Sequence, residues 1–246
     1  MKAIILGATK GMGRAVARAL VERGDSVLLL GRDDVELSRS AKDLEQRAKH
    51  TSSISCVQCD LEQPEGFARA LDEAERGLPG YDTVLVSAGL FAGQAELEHD
   101  PDALQRLLTV NYVNTVLFCE HARKRLLHRG GGTLCVWSSV AGERGRKPVV
   151  LYGSSKAGLS AYLEGLDHKF RDQGLRTICV KPGFVKTSAT EGLKPPPFAG
   201  EPEGVARDVL RALDAGSPVL YTPRIWALVM LVIRWLPRFV MRRIGF

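Results

Sequence analysis

Tyr152 and Lys156 stand four residues apart in Val-Leu-Tyr-Gly-Ser-Ser-Lys, and Ser139 precedes the tyrosine by thirteen residues in Trp-Ser-Ser-Val. Together these three types can make a proton donor for a carbonyl oxygen. Positions i and i+4 of a helix share a face, so the spacing lets the Lys156 ammonium lie beside the Tyr152 phenol. A free phenol ionises near pH ~10 and is a poor acid-base catalyst at neutral pH. A neighbouring ammonium favours the phenolate, so the pair predicts a lowered Tyr152 pKa. A serine hydroxyl from a strand end can hold the substrate oxygen while the proton moves.

Such a donor needs elements to place it. Lys2–Leu6 is an apolar run of buried-strand length, followed by Gly7-Ala-Thr-Lys-Gly-Met-Gly13 and an amphipathic stretch from Arg14 to Arg23. Strand, glycine turn and helix in that order let backbone N–H groups and a helix N-terminus hold a pyrophosphate. Gly7 permits the tight turn, Gly11 the approach of the backbone to phosphates, and Gly13 the close packing of helix on strand. Further strands are predicted near 26–31, 53–59, 82–88, 132–138, 175–181 and 218–221. Helices are predicted near 11–23, 34–49, 64–76, 101–129 with a break, 152–172 and 202–215. This alternation predicts an α/β protein of the Rossmann type, a doubly wound parallel seven-stranded sheet with helices on both faces. The strand ends at Gly31, Asp60, Gly89, Ser139 and Pro182 then share one edge of the sheet, where ligands bind in such folds.

Composition agrees with a single globular catalytic unit: 246 residues, 45% hydrophobic and 25% charged, enough to bury one full core. Met1 opens on a strand that the glycine turn interrupts, which does not resemble a signal peptide. Five cysteines do not form the pattern of a disulfide framework, and a reducing, cytoplasmic setting is expected. Cys56 and Cys59 have redox or metal spacing, but no second Cys or His cluster accompanies them, so a structural role is expected. No metal site is expected.

Over residues 2 to about 221 the chain resembles the short-chain dehydrogenases/reductases, through Gly7-x-x-x-Gly11-x-Gly13, Asp60, Ala88-Gly89, Asn111, Ser139, Tyr152, Lys156 and Pro182-Gly183 in order and spacing. The resemblance implies an NAD(P)H-dependent oxidoreductase with a catalytic tetrad. Tyr152 is its proton donor, Lys156 lowers the phenol's pKa and holds the nicotinamide ribose, Ser139 orients the substrate oxygen, and Asn111 positions a relay water. Ser139 is preferred to Ser138 because thirteen residues before the tyrosine is the usual spacing. Cofactor contacts are expected from Gly7, Thr9, Lys10, Gly11, Met12, Gly13, Arg32, Asp60, Leu61, Ala88, Gly89, Tyr152, Lys156, Pro182 and Gly183, with Asp60 on the adenine amino group. Two departures stand out: Leu6 where Thr is usual before the first glycine, and Val86-Ser87 where Asn-Asn is usual after the fourth strand. They weaken the subtype assignment more than the chemistry. The resemblance further implies a homodimer or homotetramer.

Charge favours NADP(H), with NAD(H) the second candidate. The end of the second strand carries Gly31 and Arg32 instead of an acid, and Lys10 precedes the second glycine, so two cations can reach a 2′-phosphate. Asp33 and Asp34 follow, and helix N-capping is the expected role for them.

The C-terminal segment is the basic part of the chain. The net charge is +6, yet residues 1–223 hold 29 Lys and Arg against 28 Asp and Glu, and 224–246 carry five arginines and no acid. These bounds divide a catalytic domain, 1–223, from an amphipathic helical tail, 224–246. The apolar run Ile225 to Ile233 is far shorter than the ~20 residues a spanning helix needs. Arg234, Arg238 and Arg242 recur every fourth residue and make one basic face if the helix resumes after Pro237. Association with an anionic membrane surface is expected, peripheral on its cytoplasmic face. A dimer-interface helix, a lid over the substrate site and an extension of the core are the alternatives. Nucleic-acid binding is not expected, because few basic residues elsewhere could track phosphates. The resemblance also implies that residues 186–198 cover the substrate, and their prolines and small side chains suit a loop there.

Around the site and tail, Ala141-Gly-Glu-Arg-Gly-Arg146, Tyr152-Gly-Ser-Ser-Lys-Ala-Gly158 and Tyr221-Thr-Pro-Arg-Ile-Trp226 are similar to the decaprenylphosphoryl-2-keto-pentose reductases. That resemblance implies reduction of a 2-keto group on a polyprenyl-phosphate-linked sugar, with Arg144 or Arg146 near the site mouth. A reductase of another lipid ketone, of the 3-ketoacyl or ketosphingoid type, is the alternative. So is a membrane-docking protein that binds NADPH without turnover.

Overall fold

The computed structural model describes residues 1–48 and 52–245. Seven strands form one parallel sheet in the order β3-β2-β1-β4-β5-β6-β7. They are β1 (Lys2–Leu6), β2 (Ser26–Gly31), β3 (Ile54–Gln58), β4 (Thr83–Val86), β5 (Gly132–Trp137), β6 (Leu175–Pro182) and β7 (Val219–Thr222). The order reverses beside β1, which pairs with β2 on one side and β4 on the other. A crevice therefore opens above the C-terminal ends of β1 and β4, the usual ligand position in this architecture.

Central strands such as Val27–Leu30 are wholly buried, because helices cover both faces. On one face lie α1 (Gly11–Arg23), α2 (Asp34–Arg47) and α8 (Pro202–Ala215), packing Val16, Leu20, Leu37, Leu44, Val205 and Val209 into one core. On the other lie α3 (Phe67–Gly77), α6 (Thr115–His128) and α7 (Val150–Phe170), whose Phe67, Phe118 and Leu159 join a second. The expected strands and helices are all present within a few residues, apart from the end of the second helix, where residue 49 lies outside the described residues.

Two elements differ from the sequence expectation. The helical region expected from 101 begins earlier, with α4 (Gln94–His99) and α5 (Pro101–Leu108), separated by Asp100, which caps α5 through Asp102 N and Ala103 N at 3.0 Å each. The expected break is a π-helical turn, Thr109–Asn114, which carries Asn111 into the interior. Such turns rotate a side chain out of the regular helical register.

The tail is folded onto the body. It forms α9 (Ile225–Trp235) and α10 (Arg238–Arg243), with Pro237 between them. Met230 and Ile233 pack against Val140, beside Tyr221, Trp226 and Met241. Each such buried side chain contributes about 1.5–3 kcal/mol. The opposite face of α9 presents Leu228, Leu231, Val232 and Trp235 to the surface, followed by Phe239 on α10. Arg234, Arg238 and Arg242 are all exposed; Arg234 reaches Glu143, while Arg238 and Arg242 line a cavity against the Arg144–Val150 segment. Among the described residues no helix is long and apolar enough to cross a membrane.

Candidate active site

The glycine turn builds the floor of the crevice. At Gly13 a Cβ would collide with the Gly7 carbonyl and Ser87 Oγ, so only glycine lets α1 close on β1. Ser87 bonds from Oγ to the Leu6 and Gly7 carbonyls, at 3.2 and 3.1 Å, bracing the turn in place of the asparagine usual there. Helix α1 has no side-chain N-cap and no acid in its first turn. Its leading N–H groups and positive dipole end are left for an anion.

A groove of about 310 Å³ runs along this floor. Its walls include Gly7, Thr9, Lys10, Gly11, Met12 and Gly13 from the turn, Arg32 after β2, Asp60 and Leu61 after β3, and Ala88 and Gly89 after β4. Uncapped amides, a cationic end at Lys10 and Arg32, and an open glycine floor fit a phosphate-bearing dinucleotide. Asp33 does not face this end as an acid: its Oδ1 accepts from Val35 N and Glu36 N, at 3.0 and 3.1 Å, and caps α2 as expected. Arg32 is exposed and only loosely paired with Glu62, at 3.4 Å, because Arg106 holds that carboxylate with two shorter bonds of 2.8 and 2.6 Å. Pro182 and Gly183 are not part of this lining. They close β6, where a Cβ on Gly183 would overlap the Trp226 indole of the tail.

Gly89 joins the groove to the proton-bearing residues. A Cβ there would stand 3.1 Å from Asn111 Oδ1 and 3.5 Å from Lys156 Nζ. Asn111 is fully buried; its Oδ1 accepts from Leu90 N at 2.7 Å and its Nδ2 donates to Leu90 O at 2.8 Å. Lys156 is also buried and donates from Nζ to the Trp137 carbonyl at 3.0 Å.

The Ser139 hydroxyl acts on the Tyr152 phenol and draws its pKa down. Ser139 follows β5 and caps a short 3-10 turn, its Oγ accepting from Ala141 N at 3.0 Å. Ser138 points the other way, donating to Lys156 O at 2.9 Å and meeting Ser160 Oγ at 2.6 Å, so it is a structural residue beneath α7. The Phe91 ring stands edge-on to Tyr152 with centroids 5.1 Å apart.

The electrostatics reverse one expectation. Burial pushes the Tyr152 phenol up to about 12, and the hydrogen bond from Ser139 recovers only part of that. Lys156 does not lower it: the ammonium lies 5.9 Å from the ring centroid, is bound to Trp137 O, and is itself drawn down by burial to about 8. Desolvation outweighs the charge pairing that the i, i+4 spacing suggested. At neutral pH the phenol is therefore protonated and the amine still charged, the pair of states a proton donor requires.

Several further groups shape the site. Gln94 of α4 accepts from Leu151 N at 3.1 Å and anchors the start of α7. Thr187 lies against Gly11, and Thr187 and Ser188 line the groove, although 186–198 reads from sequence as a substrate loop. Glu143 is buried and joins three elements: Lys181 of β6, Tyr221 Oη of β7 at 2.9 Å, and Arg234 of α9 at 3.1 Å. Cys59 is packed into the core, where burial raises its thiol to about 12.

A sequence model of the family described as short chain dehydrogenase matches residues 1–196. The chain belongs to that family and is an NAD(P)H-dependent oxidoreductase. It is 34% identical over 244 residues to an uncharacterized oxidoreductase of Mycobacterium tuberculosis, covering 98% of this chain and 95% of the relative. It is 27% identical to carbonyl reductase family member 4 of Xenopus tropicalis, over 86% of this chain and 90% of that protein. Among solved structures, an actinorhodin polyketide ketoreductase with NADPH superposes with a TM-score of 0.80 at 20% identity, covering 90% of this chain and 95% of that one. At that identity the likeness concerns the fold.

Proposed function

We propose that the protein reduces a ketone on a lipid-linked substrate to a secondary alcohol, of the 2-keto-pentose polyprenyl phosphate type, with NADPH preferred to NADH. The bound nicotinamide supplies a hydride to the carbonyl carbon. Tyr152 delivers its proton to the carbonyl oxygen, and an alkoxide is basic enough to take it from a phenol of raised pKa. Ser139 holds that oxygen beside the phenol. Lys156 keeps a positive charge near the phenolate that forms and reaches the groove at Gly89. Asn111 fixes the Leu90 backbone and retains one N–H and one lone pair for a relay water.

The observation that carries the reading is Tyr152, acted on by Ser139, its ring centroid 5.9 Å from the Lys156 ammonium, which with Asn111 meets Gly89 at the end of the glycine groove. Lys10 and Arg32 at the groove's far end support the 2′-phosphate preference. The relative named as a carbonyl reductase points the same way for ketone reduction. The apolar outward stripe of α9 and α10 supports a peripheral position at a membrane face, where a lipid-borne ketone resides. Residues 1–223 form the catalytic body in this reading, and 224–246 dock it.

The test is NADPH oxidation with a polyprenyl-phosphate keto-sugar, a long-chain 3-ketoacyl ester and a ketosphingoid base. Turnover of the first alone supports the full reading. Turnover of either other substrate alone replaces the substrate class, and turnover of none with NADPH bound turns the protein into a docking module.

A further inference from the structure

A second cavity lies between the Arg144–Val150 segment and α10, separate from the glycine groove. Five cations line it, namely Arg144, Arg146, Lys147, Arg238 and Arg242. Among the described residues none of the five is paired with a carboxylate. Arg144 and Lys147 each satisfy one N–H on the tail's backbone, Arg144 Nη2 on Leu236 O at 2.9 Å and Lys147 Nζ on Arg242 O at 2.6 Å. Those bonds hold the tail against the segment and fix both cations at the rim.

Arg146 is the least compensated. Its Nε is buried and makes no hydrogen bond, and burial lowers its pKa. A guanidinium N–H withdrawn from water without an acceptor is costly, and four like charges beside it add repulsion. Both are relieved by one multivalent anion, and a phosphate matches the planar guanidinium fork in charge and geometry. Val150 and Met241 add an apolar wall, so the anion should carry a hydrocarbon chain. Val150 also begins the helix that bears Tyr152, two residues further on.

We infer that this cavity is a binding site for the phosphate of an apolar-chain phosphate ester, formed jointly by the Arg144–Val150 segment and the tail. The identification of that ester with the ketone substrate rests on the function proposed above; the anion site itself rests on the cations and the buried Arg146 Nε.

The probe is decyl phosphate titrated calorimetrically into the full chain with NADPH present. The wild type should bind it saturably, and decanol should neither bind nor compete. Arg146→Gln with Arg242→Gln should weaken binding by about tenfold or more. Arg224→Gln with Arg243→Gln, which removes two tail cations outside the cavity, should not. NADPH binding reports that each variant is folded; if the first pair fails that check, Arg242→Gln alone, at an exposed position, carries the comparison. Vesicles of phosphatidylcholine with and without phosphatidic acid separate the sources. Arg242-dependent binding to the acidic vesicles assigns the phosphate to a bilayer headgroup, and binding of decyl phosphate alone assigns it to a single extracted molecule. No decyl phosphate binding, or equal loss in the two double variants, overturns the site and leaves ketone reduction untouched. Intact binding with no ketone turned over sinks the proposed reaction instead.

Discussion

Arg234 of α9 reaches Glu143, four residues past Ser139, with 3.1 Å between Nη1 and Oε2. The tail is thereby tied to the turn that presents the serine, and the same carboxylate holds Lys181 and the Tyr221 hydroxyl. The two sides of this junction differ in exposure. Glu143 and Lys181 are buried, whereas the Arg234 side chain is 45% exposed.

Glu143→Ala should therefore cost about 3–5 kcal/mol, since it leaves Lys181 buried without its partner. Arg234→Ala should cost below about 1 kcal/mol, since its pair is screened by solvent. Chemical denaturation of both variants checks the difference, and equal losses would contradict it.

Lys156 titrates near 8 instead of its ordinary 10.5. Between those values the folded state holds fewer protons than the unfolded chain, so this residue makes stability rise with pH across that window. Below it, the buried charge is a constant cost. The wild type should gain stability relative to Lys156→Met from about pH 8 to about pH 10, measured by thermal denaturation. Reduction should hold at neutral pH and decline above about 8, as the amine loses the charge that stabilises the forming phenolate.

Arg32→Glu places an acid at the end of β2. NADPH affinity should fall about ten- to a hundredfold, with NADH affected less, read by fluorescence titration. An unchanged ratio between the two cofactors would mean that the 2′-phosphate lies elsewhere.

Leu231 and Trp235 are 52% and 78% exposed on the outward side of α9. Replacing both with glutamate should leave the core contacts of Met230 and Ile233 in place and abolish cosedimentation with anionic liposomes. Retained binding would move the membrane contact off this stripe.

The sheet and the glycine turn were legible because their signals are local. Apolar runs of strand length alternate with amphipathic helices, and the glycines at 7 and 13 are fixed by contacts within one turn and its neighbouring strand. The four residues Asn111, Ser139, Tyr152 and Lys156 were legible by motif, and the approach of Asn111 and Lys156 to Gly89 follows from the parallel topology. What failed depends on burial. Spacing alone put Lys156 beside the Tyr152 hydroxyl, whereas the fold gives its Nζ to Trp137 O and desolvates both groups. Helix α4 is six residues of mostly polar sequence, too short to show a period. The tail's arginines have helical spacing, but the partner of Arg234 is Glu143, ninety-one residues away in sequence.

Tyr152→Phe tests the central claim most directly, because it removes one hydroxyl and little volume. With NADPH binding confirmed by titration, reduction of the ketone that the wild type turns over should fall by about 10²–10⁴-fold. Turnover within a few-fold of the wild type would show that the proton comes from another group.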